Sequence, residues 1–188
     1  MTGKIIIITA PSGAGKTSIT QYLLNKYPKL AFSISAATRK ARGTEKNGVD
    51  YYFMSSEEFH DKIENNDFAE WEMVYEGKYY GTLKSELTRI WSEGKTPILD
   101  IDVKGAIHIQ QQFPHNSLSI FVLPPSMEEL KSRLQSRGTE TAENIATRLN
   151  KATYELSFVH SFNKVVINDN LEEACAETED AIKEFVQL

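Results

Sequence analysis

Eight residues near the start of the chain, 10–17, have the types and order needed to bind a phosphate group. They read APSGAGKT and directly follow a run of four isoleucines. The glycines allow the backbone to bend so that successive N–H groups point inward at phosphate oxygens. Lys16 adds a positive charge toward the outer phosphates, and the hydroxyl of Thr17 is suited to Mg²⁺. A helix beginning near Lys16 presents the positive end of its dipole to the same anion.

This segment departs from the phosphate-loop pattern G-x-x-x-x-G-K-[ST] at one position, where Ala10 replaces the first glycine. The position mainly requires a small side chain, so the match is weakened only slightly. The alternative is a glycine-rich turn followed by an accidental Gly-Lys-Thr sequence. Because strand, loop and helix fall where the motif requires them, we interpret the segment as a nucleotide-binding loop. The predicted nucleotide contacts are Ser12, Gly13, Ala14, Gly15, Lys16, Thr17 and Ser18.

Two aspartates, Asp100 and Asp102, stand near the end of a short apolar segment, 96–101. Because side chains alternate along a strand, we expect both carboxylates on one face. Asp100 is suited to orient Mg²⁺ or a water molecule bound to it. The alternative is that the pair closes the strand and caps the next helix, and one residue could do both.

Composition limits the classes of protein that need to be considered. The chain has 188 residues, of which 40% are hydrophobic and 25% charged, as expected for one α/β domain. A net charge of −5 argues against broad binding to nucleic acids or membrane surfaces. The single cysteine, Cys175, suits a reducing compartment, and the cysteine and histidine spacing matches no zinc site. From the sequence we expect neither a signal peptide nor a membrane span. We therefore expect a cytoplasmic protein.

Strand-like and helix-like segments alternate along most of the chain, which predicts a parallel sheet with helices on both faces. The predicted strands are 4–10, 30–35, 96–101, 117–123 and 164–168. The predicted helices are 16–25, 57–65, 83–92, 103–112, 126–136, one ending near 158, and one capped by Asn170. Ser55 with Glu58 and Ser126 with Glu129 have the spacing of capping boxes at the starts of two of these helices. The middle segment, about 36–88, is rich in aromatic and charged residues and contains a predicted hairpin, 69–75 and 78–82. We interpret it as an insertion over the carboxyl edge of the sheet.

Further motifs in this insertion and beyond it are specific in combination. The insertion contains TRKARG at 38–43, DYYF at 50–53, AEW at 69–71 and KYYGT at 78–82. Later in the chain come the motifs ILDID at 98–102, RGTE at 137–140 and IND at 167–169. With the phosphate loop, these motifs resemble guanylate kinases over nearly the whole chain.

The resemblance implies a transfer of phosphate from ATP to GMP, with ATP, GMP and dGMP as the expected small-molecule partners. It implies that the GMP phosphate is bound by Arg39, Arg42, Tyr51 and Tyr80, and the base by Glu70, Asp102, Ser35 and Thr82. The chemistry of guanine supports the base assignment independently. Its N1–H and N2–H₂ donors lie side by side and match the two oxygens of a carboxylate, whereas adenine lacks this donor pair.

For the donor nucleotide, the resemblance implies Mg²⁺ with ATP and a set of catalytic cations, Lys16, Arg39, Arg133, Arg137 and Arg148. Planar guanidinium groups suit the charge that spreads over the oxygens of a transferring phosphoryl group. Asn168 and Asp169 would lie near adenine. The implied fold is an α/β core, 1–35, 89–125 and 159–188, with a GMP-binding subdomain at about 36–88 and a helical lid at about 126–158.

Two other functions use the same residues. In a binding module, the four phosphate-binding residues would hold a phosphorylated peptide, but such a module has no chemical need for Lys16, Thr17, Asp100 and the lid arginines. Another small-molecule kinase on the same scaffold is disfavoured by Glu70 together with Asp102. We therefore expect an active ATP:GMP phosphotransferase. The sequence leaves its oligomeric state open.

Overall fold

The structure is a computed structural model that describes residues 3–136 and 141–187. Its centre is a five-stranded parallel sheet in the order β2-β7-β1-β8-β9. The four isoleucines of β1 are fully buried, because a central parallel strand is covered on both faces. The strands of this sheet are β1 Ile5–Thr9, β2 Leu30–Phe32, β7 Thr96–Asp100, β8 Ser117–Leu123 and β9 Lys164–Ile167.

Helices cover both faces of this sheet, as predicted. Ile6 and Ile8 face a core that includes residues of helices α1 and α7, whereas Ile5 and Ile7 face a core built with α3 and α4. This division follows from the alternation of side chains along β1. The bounds of these helices are α1 Lys16–Lys26, α3 Lys84–Ser92, α4 Val103–Gln112 and α7 Leu171–Val186.

A second sheet of four strands lies within the middle segment, in the order β4-β3-β6-β5. Strands β5 and β6 form the predicted antiparallel hairpin, and Gly77 adopts a positive φ of 65° in its turn. Helix α2 begins at the predicted capping box of Ser55 and Glu58. The elements are β3 Ala36–Ala37, β4 Tyr52–Phe53, α2 Ser56–Glu64, β5 Phe68–Tyr75 and β6 Lys78–Leu83.

The predicted strand at 30–35 is wrong in its second half. Strand β2 ends at Phe32, and the chain then crosses to the second sheet, where β3 begins at Ala36. The alternation of apolar residues through Ile34 continues past the point where the pairing with β7 ends, so the pattern alone could not mark the crossing. Strands β3 and β4 have two residues each and are too short to produce a period.

Two further helices, α5 Met127–Ser136 and α6 Ala142–Leu156, pack against each other around a small apolar cluster. The predicted cap of α5 is present, since the hydroxyl of Ser126 accepts the backbone N–H of Glu129 at 3.0 Å. A short 3₁₀ helix, Val159–Ser161, leads into β9. Residues 137–140, including Arg137, lie outside the described residues. In the described part of the chain, no helix is long and apolar enough to cross a membrane.

A buried carboxylate connects the two sheets. Glu86, in the first turn of α3, accepts the backbone N–H of Ile34 at 3.0 Å and the hydroxyl of Tyr52 at 2.9 Å. Ile34 lies in the crossing between β2 and β3, and Tyr52 lies in β4. Arg89 donates to both carboxylate oxygens, at 2.9 and 2.8 Å. Burial alone would raise the pKa of Glu86, but these donors together hold it below its usual value.

We expect Glu86→Ala to lower the free energy of unfolding by roughly 2 kcal/mol, because Ile34 and Tyr52 lose a buried acceptor. The matched control is Glu93→Ala, which removes another carboxylate from the same Arg89 but at the surface. It should cost less than about 1 kcal/mol. Urea unfolding of both variants measures the difference, and equal losses would contradict the role given to Glu86.

Candidate active site

A cleft of about 640 Å³ is bounded by the phosphate loop, the carboxyl end of β7, the second sheet and α6. Residues from all these elements meet here, although they are far apart in the sequence. The predicted site residues that line the cleft are Ser12, Lys16, Ser35, Arg39, Arg42, Tyr51, Glu70, Tyr80, Asp100, Asp102 and Arg148.

The phosphate loop has the backbone geometry that its sequence predicts. Gly13 and Gly15 both adopt a positive φ of 98°, a conformation that other residues rarely adopt. Helix α1 begins at Lys16 without a side-chain cap. The N–H of Ser18 donates to the backbone oxygen of the N-cap residue Gly15 at 3.1 Å, whereas the N–H groups before it precede the regular hydrogen bonds of the helix. Thr17 and Ser18 are exposed in this turn. The arrangement forms an anion-binding site at a helix N-terminus.

Close packing against helix α5 and Asn168 holds this loop in place. A side-chain carbon at Gly13 would lie 3.1 Å from both Leu130 and Leu134 of α5. At Gly15 it would overlap the amide of Asn168, whose Nδ2 donates to the backbone oxygen of Ala14 at 2.7 Å. The glycines are therefore required by their neighbours as well as by their backbone angles.

Two predicted donor-site residues, Asn168 and Arg133, support the loop and do not line the cleft. Asn168 is buried, and its side chain contacts the loop. Arg133 donates from Nη1 to the backbone oxygen of Asn168 at 3.0 Å and from Nε to Glu129 at 2.9 Å. Asp169 is exposed beyond the end of β9. Contact of these residues with ATP remains a prediction.

The cations nearest the loop are already positioned by hydrogen bonds and ion pairs. Lys16 forms an ion pair with Asp100 at the end of β7. Arg148 of α6 donates from Nη1 to the hydroxyl of Ser12 at 2.5 Å. This contact brings α6 onto the phosphate loop. A positive charge therefore approaches the loop from each side, one at the start of α1 and one from α6.

The second sheet contributes a group of cationic and aromatic side chains. The guanidinium carbon of Arg39 lies 4.6 Å from the ring centre of Tyr51. The rings of Tyr51 and Tyr80 meet edge to face, with centres 6.1 Å apart. Burial raises the pKa of the Tyr51 hydroxyl, so this group remains a hydrogen-bond donor at neutral pH. Arg42 lies nearby and is exposed.

Glu70 of β5 also lines the cleft and is 5% exposed. One carboxylate oxygen accepts the hydroxyl of Thr82 at 2.7 Å. The other lies against the first turn of α4, where a side-chain carbon on Gly105 would come within 2.5 Å of it. Burial raises the pKa of Glu70 to about 7, and the nearby charge of Asp102 adds to the effect, whereas the hydrogen bond from Thr82 opposes it.

The predicted placement of Asp102 on a strand is wrong. Strand β7 ends at Asp100, and Asp102 is the N-cap of α4, accepting the backbone N–H of Gly105 at 2.9 Å. Both aspartates line the cleft, but they do so from different elements. The alternative that one of the pair caps the following helix is therefore correct for Asp102.

Sequence reasoning missed a row of polar residues on α6. Asn144, Thr147, Lys151 and Glu155 line the cleft together with Arg148. Their spacing of three or four residues places them on one face of the helix, and this spacing from Arg148 was the available signal. Lys151 and Glu155 form an ion pair at 3.7 Å, and burial raises the pKa of Glu155. Gly105 was also missed, because its role depends on contact with Glu70.

The raised pKa of Glu70 predicts a pH-dependent cost to folding. The carboxyl group has a reference pKa of 4.5, compared with about 7 in the folded protein. Between these values the folded state holds the extra proton, so the free energy of unfolding falls as the pH rises through this window. Glutamine does not titrate. From pH 5 to pH 8, we expect the wild type to lose on the order of 2 kcal/mol relative to Glu70→Gln.

Urea unfolding of the wild type and Glu70→Gln at both pH values measures this change. The variant serves as its own control for every other titrating group. A stability difference that is the same at pH 5 and pH 8 would contradict the raised pKa.

Comparison with known proteins places this geometry in a family. A model of guanylate kinase sequences matches residues 2–185. A guanylate kinase from Bacteroides thetaiotaomicron is 51% identical over 186 residues, which cover 99% of this chain and 91% of the relative. A guanylate kinase from Porphyromonas gingivalis is 49% identical over 184 residues, which cover 97% of this chain and 98% of the relative.

The fold agrees with this assignment. The crystal structure of guanylate kinase from Anaplasma phagocytophilum matches with a TM-score of 0.77 at 30% identity, covering 97% of this chain and 86% of that chain. The resemblance and the α/β fold expected from the sequence motifs are thereby confirmed. The chain belongs to the guanylate kinase family, the ATP:GMP phosphotransferases that transfer the γ-phosphate of ATP to GMP.

Proposed function

We propose that the cleft is the site of this transfer, with the phosphates of ATP on the phosphate loop and GMP against the second sheet. The observation that carries the proposal is that Lys16 and Arg148 line the same cleft as Arg39 and Glu70. A site that only bound a phosphorylated group on the second sheet would not require the phosphate loop to share the cleft. A phosphoryl transfer requires both.

In this proposal, Arg39, Arg42, Tyr51 and Tyr80 bind the phosphate of GMP. Glu70 and Asp102 accept the N1–H and N2–H₂ donors of guanine, and Ser35 and Thr82 lie near its O6. Adenine would leave the buried carboxylate of Glu70 without these donors. Leaving a buried polar group unpaired can reduce the use of a wrong substrate by about 10⁴-fold. The deoxy nucleotide dGMP carries the same base and is expected as a further acceptor.

The Mg²⁺ that kinases generally use with ATP is proposed to be held by the hydroxyl of Thr17 and, through water, by Asp100. Oxygen donors suit this ion, which usually takes the rest of its ligands from phosphates and water. Among the described residues, no group of three His, Cys, Asp or Glu side chains could hold a metal. When bound, the ion neutralises charge on the phosphate oxygens. Lys16 is placed to share this task.

In this proposal, the enzyme accelerates the transfer by positioning the two substrates and by stabilising the charge of the transferring phosphoryl group. The GMP phosphate is already ionised, so no side chain has to act as a general base. Arg148 reaches the loop from α6 and is proposed to stabilise the transferring phosphoryl group, together with Arg39, Arg133 and Arg137. The proposed core, GMP-binding subdomain and lid would close over the substrates and exclude water.

We also propose that the protein is cytoplasmic, because its single cysteine, Cys175, is a free thiol and suits a reducing compartment.

A coupled assay for ADP release tests this function. With ATP and Mg²⁺ present, the acceptors GMP, AMP, CMP, UMP and dTMP are offered separately. We expect turnover confined to GMP, with discrimination against AMP on the order of 10⁴. Lys16→Ala should retain its fold and lose most turnover. Comparable turnover with AMP would overturn the roles of Glu70 and Asp102. No turnover in a folded protein that binds ATP would overturn the assigned transfer.

Gly105→Ala tests the guanine pocket through a residue that touches no substrate in the proposal. Alanine favours a helix over glycine, so α4 itself should not be weakened. Its methyl group must instead displace the carboxylate of Glu70. We expect the KM for GMP to rise roughly tenfold, because small displacements in a site have large effects. The KM for ATP is the internal control. A GMP KM equal to that of the wild type would contradict the proposed position of Glu70.

A further inference from the structure

Glu45 contacts the guanidinium group of Arg39 along one complete edge. Its two carboxylate oxygens accept from Nη1 at 2.6 Å and from Nη2 at 2.8 Å. One of these oxygens also accepts the backbone N–H of Arg42 at 2.8 Å. A single carboxylate therefore fixes both the side chain of Arg39 and the loop that leads to Arg42, the two arginines of the proposed phosphate site.

Counting the donors of Arg39 shows what this contact leaves available. A guanidinium group has five N–H donors in a fixed plane. Glu45 takes one from each terminal nitrogen, and the backbone oxygen of Lys40 takes the second donor of Nη1 at 3.1 Å. The other two donors, on Nε and Nη2, lie side by side on the opposite edge, and the hydroxyl groups of Tyr51 and Tyr80 also interact with this guanidinium group. That edge has the spacing that binds two oxygens of a phosphate group.

Packing fixes the plane of the same guanidinium. Its central carbon lies 4.6 Å from the ring centre of Tyr51 and 5.4 Å from that of Phe53. The side chain of Arg39 is 7% exposed, compared with 25% for Glu45. A guanidinium group this well buried needs a counter-charge when no substrate is bound. Hydrogen bonds from Arg39 and from the backbone of Arg42 lower the pKa of Glu45 to about 2, so this charge persists at neutral pH.

We propose that Glu45 is a positioning residue for the acceptor phosphate: it holds one edge of Arg39 so that the other edge binds the phosphate of GMP. This inference rests on the proposed function, which gives Arg39 to that phosphate. Glu45 itself does not touch the substrate. Its negative charge opposes the bound phosphate, so its contribution is the orientation of Arg39 and not attraction of GMP.

Positioning and charge predict opposite effects of Glu45→Gln. If the charge of Glu45 merely weakened the site, its removal would lower the KM for GMP. If Glu45 positions Arg39, the KM for GMP should rise about tenfold, the coupling expected between contacting residues. Glu45→Asp sharpens the comparison, because it keeps the charge but withdraws the carboxylate by one methylene group. We expect it to raise the KM for GMP as well, with the KM for ATP unchanged in both variants.

A double-mutant cycle with Arg39→Ala decides whether Glu45 acts through Arg39. Arg39→Ala alone should raise the KM for GMP, and adding Glu45→Gln to it should have no further effect. Glu64→Gln, an exposed acid on α2, is the matched control and should resemble the wild type. Thermal unfolding of each variant separates a loss of positioning from a loss of the fold.

The possible results distinguish a failure of the positioning role of Glu45 from a failure of the proposed phosphate site at Arg39. A normal or lower GMP KM in Glu45→Gln, a normal GMP KM in Glu45→Asp, or additive effects in the cycle would overturn the positioning role while leaving the phosphate site of Arg39 intact. An Arg39→Ala variant with normal GMP kinetics would instead overturn the proposed phosphate site, and this inference with it.

Discussion

The backbone conformation of the phosphate loop fixes where the nucleotide phosphates can bind, and the neighbouring elements hold that conformation. Two glycines at positive φ aim backbone N–H groups at one point, and neither can be replaced without meeting α5 or Asn168. The helix that follows the loop is fixed in turn. Glu179 of α7 accepts hydrogen bonds from Tyr22 of α1, at 2.5 Å, and from Tyr27 just beyond it, at 2.6 Å. Contacts within the protein therefore hold the backbone of the anion site in its binding geometry, so the cost of ordering it is met during folding.

Two buried carboxylates, Glu86 and Glu70, have pKa values that are shifted in opposite directions by their surroundings. Glu86 receives donors from Arg89, Ile34 and Tyr52, and its pKa is low. Glu70 is equally buried but accepts one side-chain hydrogen bond, from Thr82, and its pKa is raised to about 7. The first carboxylate is satisfied by the protein and connects the two sheets. Within the described part of the chain, only Thr82 donates to the second carboxylate, so its charge costs stability that a ligand with two adjacent donors would recover.

The same logic extends to the cations of the cleft. Lys16 is paired with Asp100, Arg39 with Glu45, and Arg148 donates to Ser12. These contacts orient the cations while no substrate is bound, because a long side chain left free would lose conformational entropy on binding. Opposite charges on the protein reduce the attraction for phosphate, but they keep each cation near the geometry that transfer requires. These contacts therefore orient the cations at the cost of a weaker electrostatic attraction for phosphate.

Features that are encoded locally could be predicted from the order of residues alone. The phosphate loop, the parallel core, the hairpin and the cap at Ser55 all follow from residue order and periodicity over short segments. Features that depend on contacts between residues distant in the chain could be seen only in the folded protein. Strand β2 ends at Phe32, because the chain crosses to a second sheet there, and Asp102 caps a helix instead of lying on a strand. Asn168 contacts the backbone of the phosphate loop, and Arg133 in turn contacts the backbone of Asn168. The contacts of Gly105 with Glu70 and of Glu45 with Arg39 could not be predicted either. Such contacts depend on how the chain packs and produce no periodic pattern in the sequence.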